Sequence, residues 1–189
     1  MAIKESSDEL NPIVVVPQRA VGSTRRVHAS DYLALAIATC GVGYLPVAPG
    51  TFGSLVGVGV FFLLMRITPA GLFVPQLVLS IVVITFAGIW AATRTEEITG
   101  RKDPGKVVVD EVAGQLIALF PLTLFSVGPW AVIVSFILFR FFDIVKPYPA
   151  GKLEGLKGGA GIMCDDLVAG AYAAVTLSAS IMISGMANF

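Results

Sequence analysis

Residues 158–170 read GGAGIMCDDLVAG, and after Asp166 no charged residue follows to Phe189. Two neighbouring carboxylates thus stand at the mouth of a 23-residue uncharged segment. One helical crossing of a bilayer needs about 20 apolar residues. Within that segment LVAGAYAAVTLSASIMISGM spaces small residues for close helix packing. Similar charge-free runs occur upstream: 27 residues at 67–93, 28 at 112–139, and 34 at 32–65, the last broken by glycines and prolines. The chain is 56% apolar and only 14% charged, against about 25% charged in soluble domains. Its mean hydropathy is +0.84. These features predict an all-α, polytopic membrane helical bundle.

The expected elements follow from the breaks between these runs. A short N-terminal helix is predicted at 31–38, opened by Ser30-Asp31. The stretch GVGYLPVAPGTFGS at 41–54 reads as irregular backbone, tolerable at membrane depth only against polar partners. Spans are predicted at about 54–67 and 75–93, with Arg66 snorkelling at the end of the first. The run 112–139 splits at Ser126–Pro129 into a hairpin, which either crosses or re-enters, and its second arm continues to Lys146. There KPYP stops it, because X-Pro steps disfavour helix. With the final span this makes four to five membrane-embedded segments. Residues 1–30 carry Glu5, Asp8 and Glu9 where a signal peptide needs basic and apolar residues, and are expected to form a partly disordered cytosolic arm. Residues 31–189 are expected to form one membrane domain.

Charge placement orients the bundle. Arg19, Arg25 and Arg26, then Arg94, Arg101, Lys102 and Lys106, then Arg140, Lys146, Lys152 and Lys157 all fall on one side, leaving Arg66 alone opposite. By the positive-inside rule that side is cytosolic and the C-terminus lies outside. Thirteen acidic and thirteen basic residues cancel, and no nucleic-acid partner is expected. Cys40 and Cys164 lack metal or redox spacing and read as apolar spectators. His28, the single histidine, is remote in sequence from every acidic station and is not expected to act in catalysis.

The same topology gathers Asp110-Glu111, Asp143 and Asp165-Asp166 at the cytosolic surface. Either acidic pair alone could simply cap a helix, and Asp143, three residues from both Arg140 and Lys146, could form a surface ion pair. Together, five clustered carboxylates call for a hard divalent cation or basic partners, and oxygen donors of this kind suit Mg²⁺ or Mn²⁺. In PGTFGS, residues 49–54, Thr51 and Ser54 offer hydroxyls at a helix start, where free N–H groups attract phosphate. The stretch lacks the lysine and spacing of a P-loop. Arg140 and Lys146 could bind phosphate oxygens.

Four stretches taken together, PGTFGS, VVDEVAGQ at 108–115, FRFFDIVKPYP at 139–149 and GGAGIMCDDLVAG, resemble the phosphatidylglycerophosphatase A family. The resemblance implies an all-helical, Mg²⁺-dependent phosphatase of the bacterial inner membrane, multi-pass with a cytosolic active site. It would remove the terminal phosphate of phosphatidylglycerophosphate to give phosphatidylglycerol. Carried over by motif, the resemblance puts the metal on Asp110, Glu111, Asp143, Asp165 and Asp166, one or two ions in all. Catalysis would fall to Asp143, Asp166, Asp110 and Glu111, and substrate binding to Thr51, Ser54, Arg140 and Lys146. An attacking water is the expected nucleophile; the rival aspartyl-phosphate route lacks its DxDx(T/V) signature. Two other classes compete. A lipid phosphotransferase would carry a DG-x2-AR motif, which is missing, and a divalent-cation transporter would carry acids inside its spans, whereas here they stand at span ends. The oligomeric state is left open.

Overall fold

The computed structural model describes residues 28–102, 104–153 and 155–185. Most of the expected N-terminal arm, including Arg19, Arg25 and Arg26, lies outside the described residues. The described chain is nearly all helical and holds no β-strand. Its helices are α1 (Ala29–Thr39), α2 (Pro49–Ile67), α3 (Phe73–Thr99), α4 (Val109–Ala118), α5 (Trp130–Val145), α6 (Ala150–Leu153) and α7 (Gly159–Ser184), with 3₁₀ turns at Val42–Tyr44, Ala70–Leu72 and Phe120–Thr123.

Among the described residues, three segments are long and apolar enough to cross a membrane: Pro49–Ile67, Ala70–Thr99 and Gly159–Ser184. That is fewer than the four to five expected, and the hairpin accounts for the difference. Helix α4 is only 10 residues long and gives way to the Phe120–Thr123 turn, which holds Pro121. Pro129 then precedes α5, whose 16 residues span about 24 Å at 1.5 Å per residue, short of a 30 Å hydrocarbon core. As expected, α5 runs past Arg140 and Asp143 and ends at Lys146, which takes a left-handed conformation before Pro147.

The long helices bury little of themselves within the protein. Only 11% of the most apolar window of Ala70–Thr99 is buried, and Phe86 and Ile183 stand 70% and 87% exposed. Apolar side chains facing outward around a bundle suit a hydrocarbon solvent. Helix α1 is tied to α3 by Arg94 Nε, which donates to the buried Asp31 Oδ1 at 2.7 Å. Asp31 sits in the first turn, where Oδ2 accepts the His28 N–H at 3.0 Å, so it closes α1 from inside the helix and not from the expected Ser30-Asp31 start.

Helix α4 is the hub, packing on both α2 and α7. Its sides are approached by glycines. PGTFGS proves to be the first turns of α2 and not a loop, and side chains added at Gly50, Gly53 or Gly57 would run into Glu111, Val108 and Gln115 respectively. On the other side a Cβ at Gly170 of α7 would overlap the Gly114 backbone, and one at Gly114 would overlap Phe139 and the Asp166 carbonyl. Only glycine lets these backbones meet so closely.

Gly170→Val should therefore force α7 off α4 and lower stability by about 1–3 kcal/mol, the usual range for overpacking. Gly59→Ala, where nothing lies within 4 Å, should be neutral or gain up to about 1 kcal/mol from helix propensity. Thermal unfolding of both variants in detergent checks this; equal effects would contradict the crossing.

Candidate active site

All five acidic residues come together at one end of the bundle. The start of α4 supplies Asp110 and Glu111, the second turn of α7 supplies Asp165 and Asp166, and the last turn of α5 supplies Asp143. They line one pocket of about 200 Å³ with Lys146, Pro49, Gly50, Gly105, Val107 and Ile162. The short α4 and the N-terminal half-turns of α2 and α7 thus all open on the same surface, and the α3–α4 connection closes it at Gly105.

The five carboxylates are not equivalent. Asp143 Oδ2 pairs with Arg140 Nη1 at 2.6 Å, three residues away on the same helix. Asp165 Oδ2 accepts from Lys146 Nζ at 2.7 Å, and its Oδ1 accepts the Asp166 N–H at 3.0 Å. Asp110, Glu111 and Asp166 form the remaining group: each offers one oxygen, and these lie within 4.8 Å of one another. Asp110 Oδ1, Glu111 Oε2 and Asp166 Oδ2 are buried with no hydrogen-bond partner. The nearest cation to Glu111 is Arg140, whose Nη1 lies 3.9 Å from Oε1.

Two buried carboxylates and the partly buried Glu111, with unpaired oxygens pointing together, cost free energy unless something positive joins them. Hard oxygen donors in that number suit Mg²⁺ or Mn²⁺, so the donor set fits the expected metal. Burial lifts the Asp110 carboxyl to about 6, with the Asp165 charge adding to the rise. Burial, then the Asp110 and Asp143 charges, raises Glu111 well above its ordinary range against the pull of Arg140.

The predicted phosphate-binding hydroxyls stand apart from this pocket. Ser54 is fully buried and donates to the Gly50 carbonyl at 3.0 Å within α2, and Thr51 is half-buried and does not line the pocket. Pro49 and Gly50 line it in their place. The reason is steric: Gly50 leaves the room that Glu111 and Arg140 occupy. Sequence reading missed Gly105 and Val107 as lining residues, although their place immediately before VVDE was a signal. The Arg140–Asp143 pair was open from spacing, but the pairing of Lys146 with Asp165 across 19 positions was missed. Cys40 and Cys164 are free, half-buried thiols.

A family model described as Phosphatidylglycerophosphatase A matches residues 35–181. The chain belongs to the phosphatidylglycerophosphatase A family. Phosphatidylglycerophosphatase A of Escherichia coli strain K12 is 32% identical over 164 residues, 86% of this chain and 91% of that protein. Phosphatidylglycerophosphatase A of Haemophilus influenzae is 35% identical over 140 residues, 74% of this chain and 82% of that one. A Bacteroides thetaiotaomicron protein named "Putative phosphatidylinositol-3-phosphatase" is 40% identical over 145 residues, 77% of this chain and 91% of that one. No solved structure matches the chain. As a member of the phosphatidylglycerophosphatase A family the protein is a phosphatase, and its apolar helices make it a membrane protein. All five acids and the Arg140–Lys146 pair fall inside the matched region.

A raised Asp110 pKa means that the folded state holds this proton more tightly than the unfolded one. Stability therefore falls as pH rises from the ordinary aspartate range through about 6. With chelator present at pH 7.5, Asp110→Asn should stabilise the fold by roughly 1–3 kcal/mol, the cost of an unsatisfied buried polar group. The gain should shrink near pH 4. A less stable Asn variant at neutral pH, measured by thermal unfolding, would contradict the unpaired-carboxylate reading.

Proposed function

We propose that the protein is a Mg²⁺-dependent lipid phosphatase that hydrolyses the terminal phosphomonoester of phosphatidylglycerophosphate to phosphatidylglycerol and phosphate. It would work at the cytosolic face of a bacterial inner membrane. The observation that carries this reading is the convergence of unpartnered Asp110, Glu111 and Asp166 oxygens in one pocket with Lys146, and with Arg140 paired to Asp143 beside it. The family supplies the reaction class, and the arginine and lysine content of the loops on that side supports the orientation.

Asp110, Glu111 and Asp166 would hold the ion, with Asp143 and Asp165 close enough in the same pocket to complete its surroundings. When bound, Mg²⁺ supplies Lewis-acid stabilisation of the charge that develops on the phosphoryl oxygens. The chain's own residues do the rest. Arg140 can turn its guanidinium from Asp143 to a phosphoryl oxygen, and Lys146 can share its ammonium between Asp165 and a second oxygen, which orients the group for in-line attack. Asp143, released from Arg140, accepts a proton from the attacking water. The new bond joins the water oxygen to phosphorus, and the bond from phosphorus to the glycerol oxygen breaks. That leaving oxygen takes its proton from solvent at the open side of the pocket. Each ion pair in the resting site thus pre-positions a cation for substrate and keeps a carboxylate ready.

The 40% identical relative's name favours a second headgroup, the 3-phosphate of a phosphoinositide. Both readings place a phosphomonoester in the same pocket, so comparison of kcat/KM on the two lipids decides between them.

Purified protein should release phosphate from phosphatidylglycerophosphate with Mg²⁺ and stop on chelation. Asp166→Asn should lower kcat/KM by roughly 100-fold or more. It should also abolish the rise in thermal midpoint that Mg²⁺ gives the wild type, since a ligand stabilises only what it binds. Undiminished phosphate release from Asp166→Asn, or Mg²⁺-independent turnover, would overturn the proposal.

A further inference from the structure

The acidic pocket has a neighbour of opposite charge. A cavity of about 410 Å³ is lined by Thr99, Arg101, Pro104, Gly105 and Lys106, at the end of α3 and along its connection to α4. Gly105 lines both cavities, and Lys106 stands between Gly105 and Val107, each of which lines the acidic one. The shared rim is low, since a Cβ at Gly105 would meet nothing within 4 Å. Among the described residues no carboxylate lines the second cavity, and neither Arg101 nor Lys106 takes part in an ion pair. Arg140 and Lys146, by contrast, already hold carboxylates.

The backbone that carries these cations is pinned. Gly100 closes α3 in a left-handed conformation, and the Arg101 N–H is donated to Thr99 Oγ1 at 3.4 Å. The Lys106 N–H donates to the Pro104 carbonyl at 2.6 Å, and the Val108 N–H to the Ala38 carbonyl of α1 at 2.8 Å. A Cβ at Gly43 would overlap the Lys106 carbonyl, so the Val42–Tyr44 turn clamps the connection from the other side. Lys106 Nζ lies 4.9 Å from the centre of the Tyr44 ring, a contact that orients the ammonium without neutralising it.

Resting on the lipid-phosphatase reading above, we propose that Arg101 and Lys106 form a subsite for the internal phosphodiester of the substrate, across Gly105 from the phosphomonoester in the acidic pocket. Both headgroups considered above join a phosphomonoester to a phosphodiester through a short polyol, so both fit. A diester offers two acceptor oxygens and one negative charge, which suit the donor fork of Arg101 beside the point charge of Lys106. Specificity follows from what each cavity holds. A lipid or soluble compound with a phosphomonoester alone fills the acidic pocket and leaves the two cations without a partner. The basic mouth also draws an anionic headgroup towards a pocket whose own acids repel it.

The test measures phosphate release from phosphatidylglycerophosphate by the full-length protein in phosphatidylcholine nanodiscs with Mg²⁺, against two soluble inhibitors. Glycerophosphoglycerol carries the diester without the monoester, and inorganic phosphate reads the acidic pocket alone. Arg101→Gln combined with Lys106→Gln should raise the Ki of glycerophosphoglycerol at least about tenfold, the loss of one charge-assisted contact, and leave that of phosphate within about twofold. Lys102→Gln, a change at an exposed neighbour that does not line the cavity, should move neither. A wild type that glycerophosphoglycerol does not inhibit, or a Ki unchanged in the double variant, would overturn the subsite. Equal rises for both inhibitors, or the same rise in Lys102→Gln, would assign the effect to general surface charge and overturn it too. Absence of phosphate release by the wild type would sink the phosphatase reading and the subsite with it, whereas turnover with an unchanged Ki sinks the subsite alone.

Discussion

The backbone crossing of α4 and α7 at Gly114 and Gly170 sets the distance between the two ends of the acidic cluster. A Cβ on either residue would overlap the opposing backbone, so the helices are nearly as close as backbones can come. Asp110 lies one turn before Gly114, and Asp166 one turn before Gly170. Both carboxylates are thereby carried to the same level, and their free oxygens meet that of Glu111 within 4.8 Å. Separating the helices by the width of one methyl group would spread the donors before any chemistry began. The α2 glycines act on the opposite flank, where Gly50 leaves space for Glu111 and Arg140.

This packing creates an electrostatic conflict. Carboxylates without partners are expensive in a buried place, and the rise of Asp110 to about 6 registers the cost. Two of the five acids are relieved internally, Asp143 by Arg140 and Asp165 by Lys146. The other three keep unpaired oxygens. Stability given up at a site of this kind is the expected signature of a group that must bind something positive. The two ion pairs also keep cations at hand for an anionic substrate of a phosphatase.

Much of this was legible in the sequence because the governing signals are coarse. Charge-free runs mark where hydrocarbon must be, and the arginines and lysines between them mark one side, so the meeting of Asp110, Asp143 and Asp166 at one end follows from topology alone. Lys146 as the end of α5 was legible from the KPYP that follows. The hairpin was harder: 112–139 is long enough to cross, but Pro121 and Pro129 cut it into short helices, and hydropathy does not weigh the hydrogen bonds that proline removes. PGTFGS misled for a related reason. Its glycines suggest a loop, yet Pro49 starts a helix well, and the glycines serve helix contact. Ser54 is consequently turned into its own helix at Gly50. Spacing allowed the Arg140–Asp143 pair, but it could not reveal that Asp165 takes Lys146 or that Asp110 and Asp166 take no basic partner, since that depends on side-chain direction at helix ends.

Asp110, Glu111 and Asp166 are proposed to share one divalent cation. Titration of chelator-treated protein with Mn²⁺, followed by electron paramagnetic resonance, tests it directly because it reads the ion and not turnover. Saturable binding to the wild type, competed by Mg²⁺ and lost when Asp110, Glu111 and Asp166 are changed together to their amides, is the predicted result. Saturable binding that survives that triple change, or a wild type that binds no Mn²⁺, would contradict it.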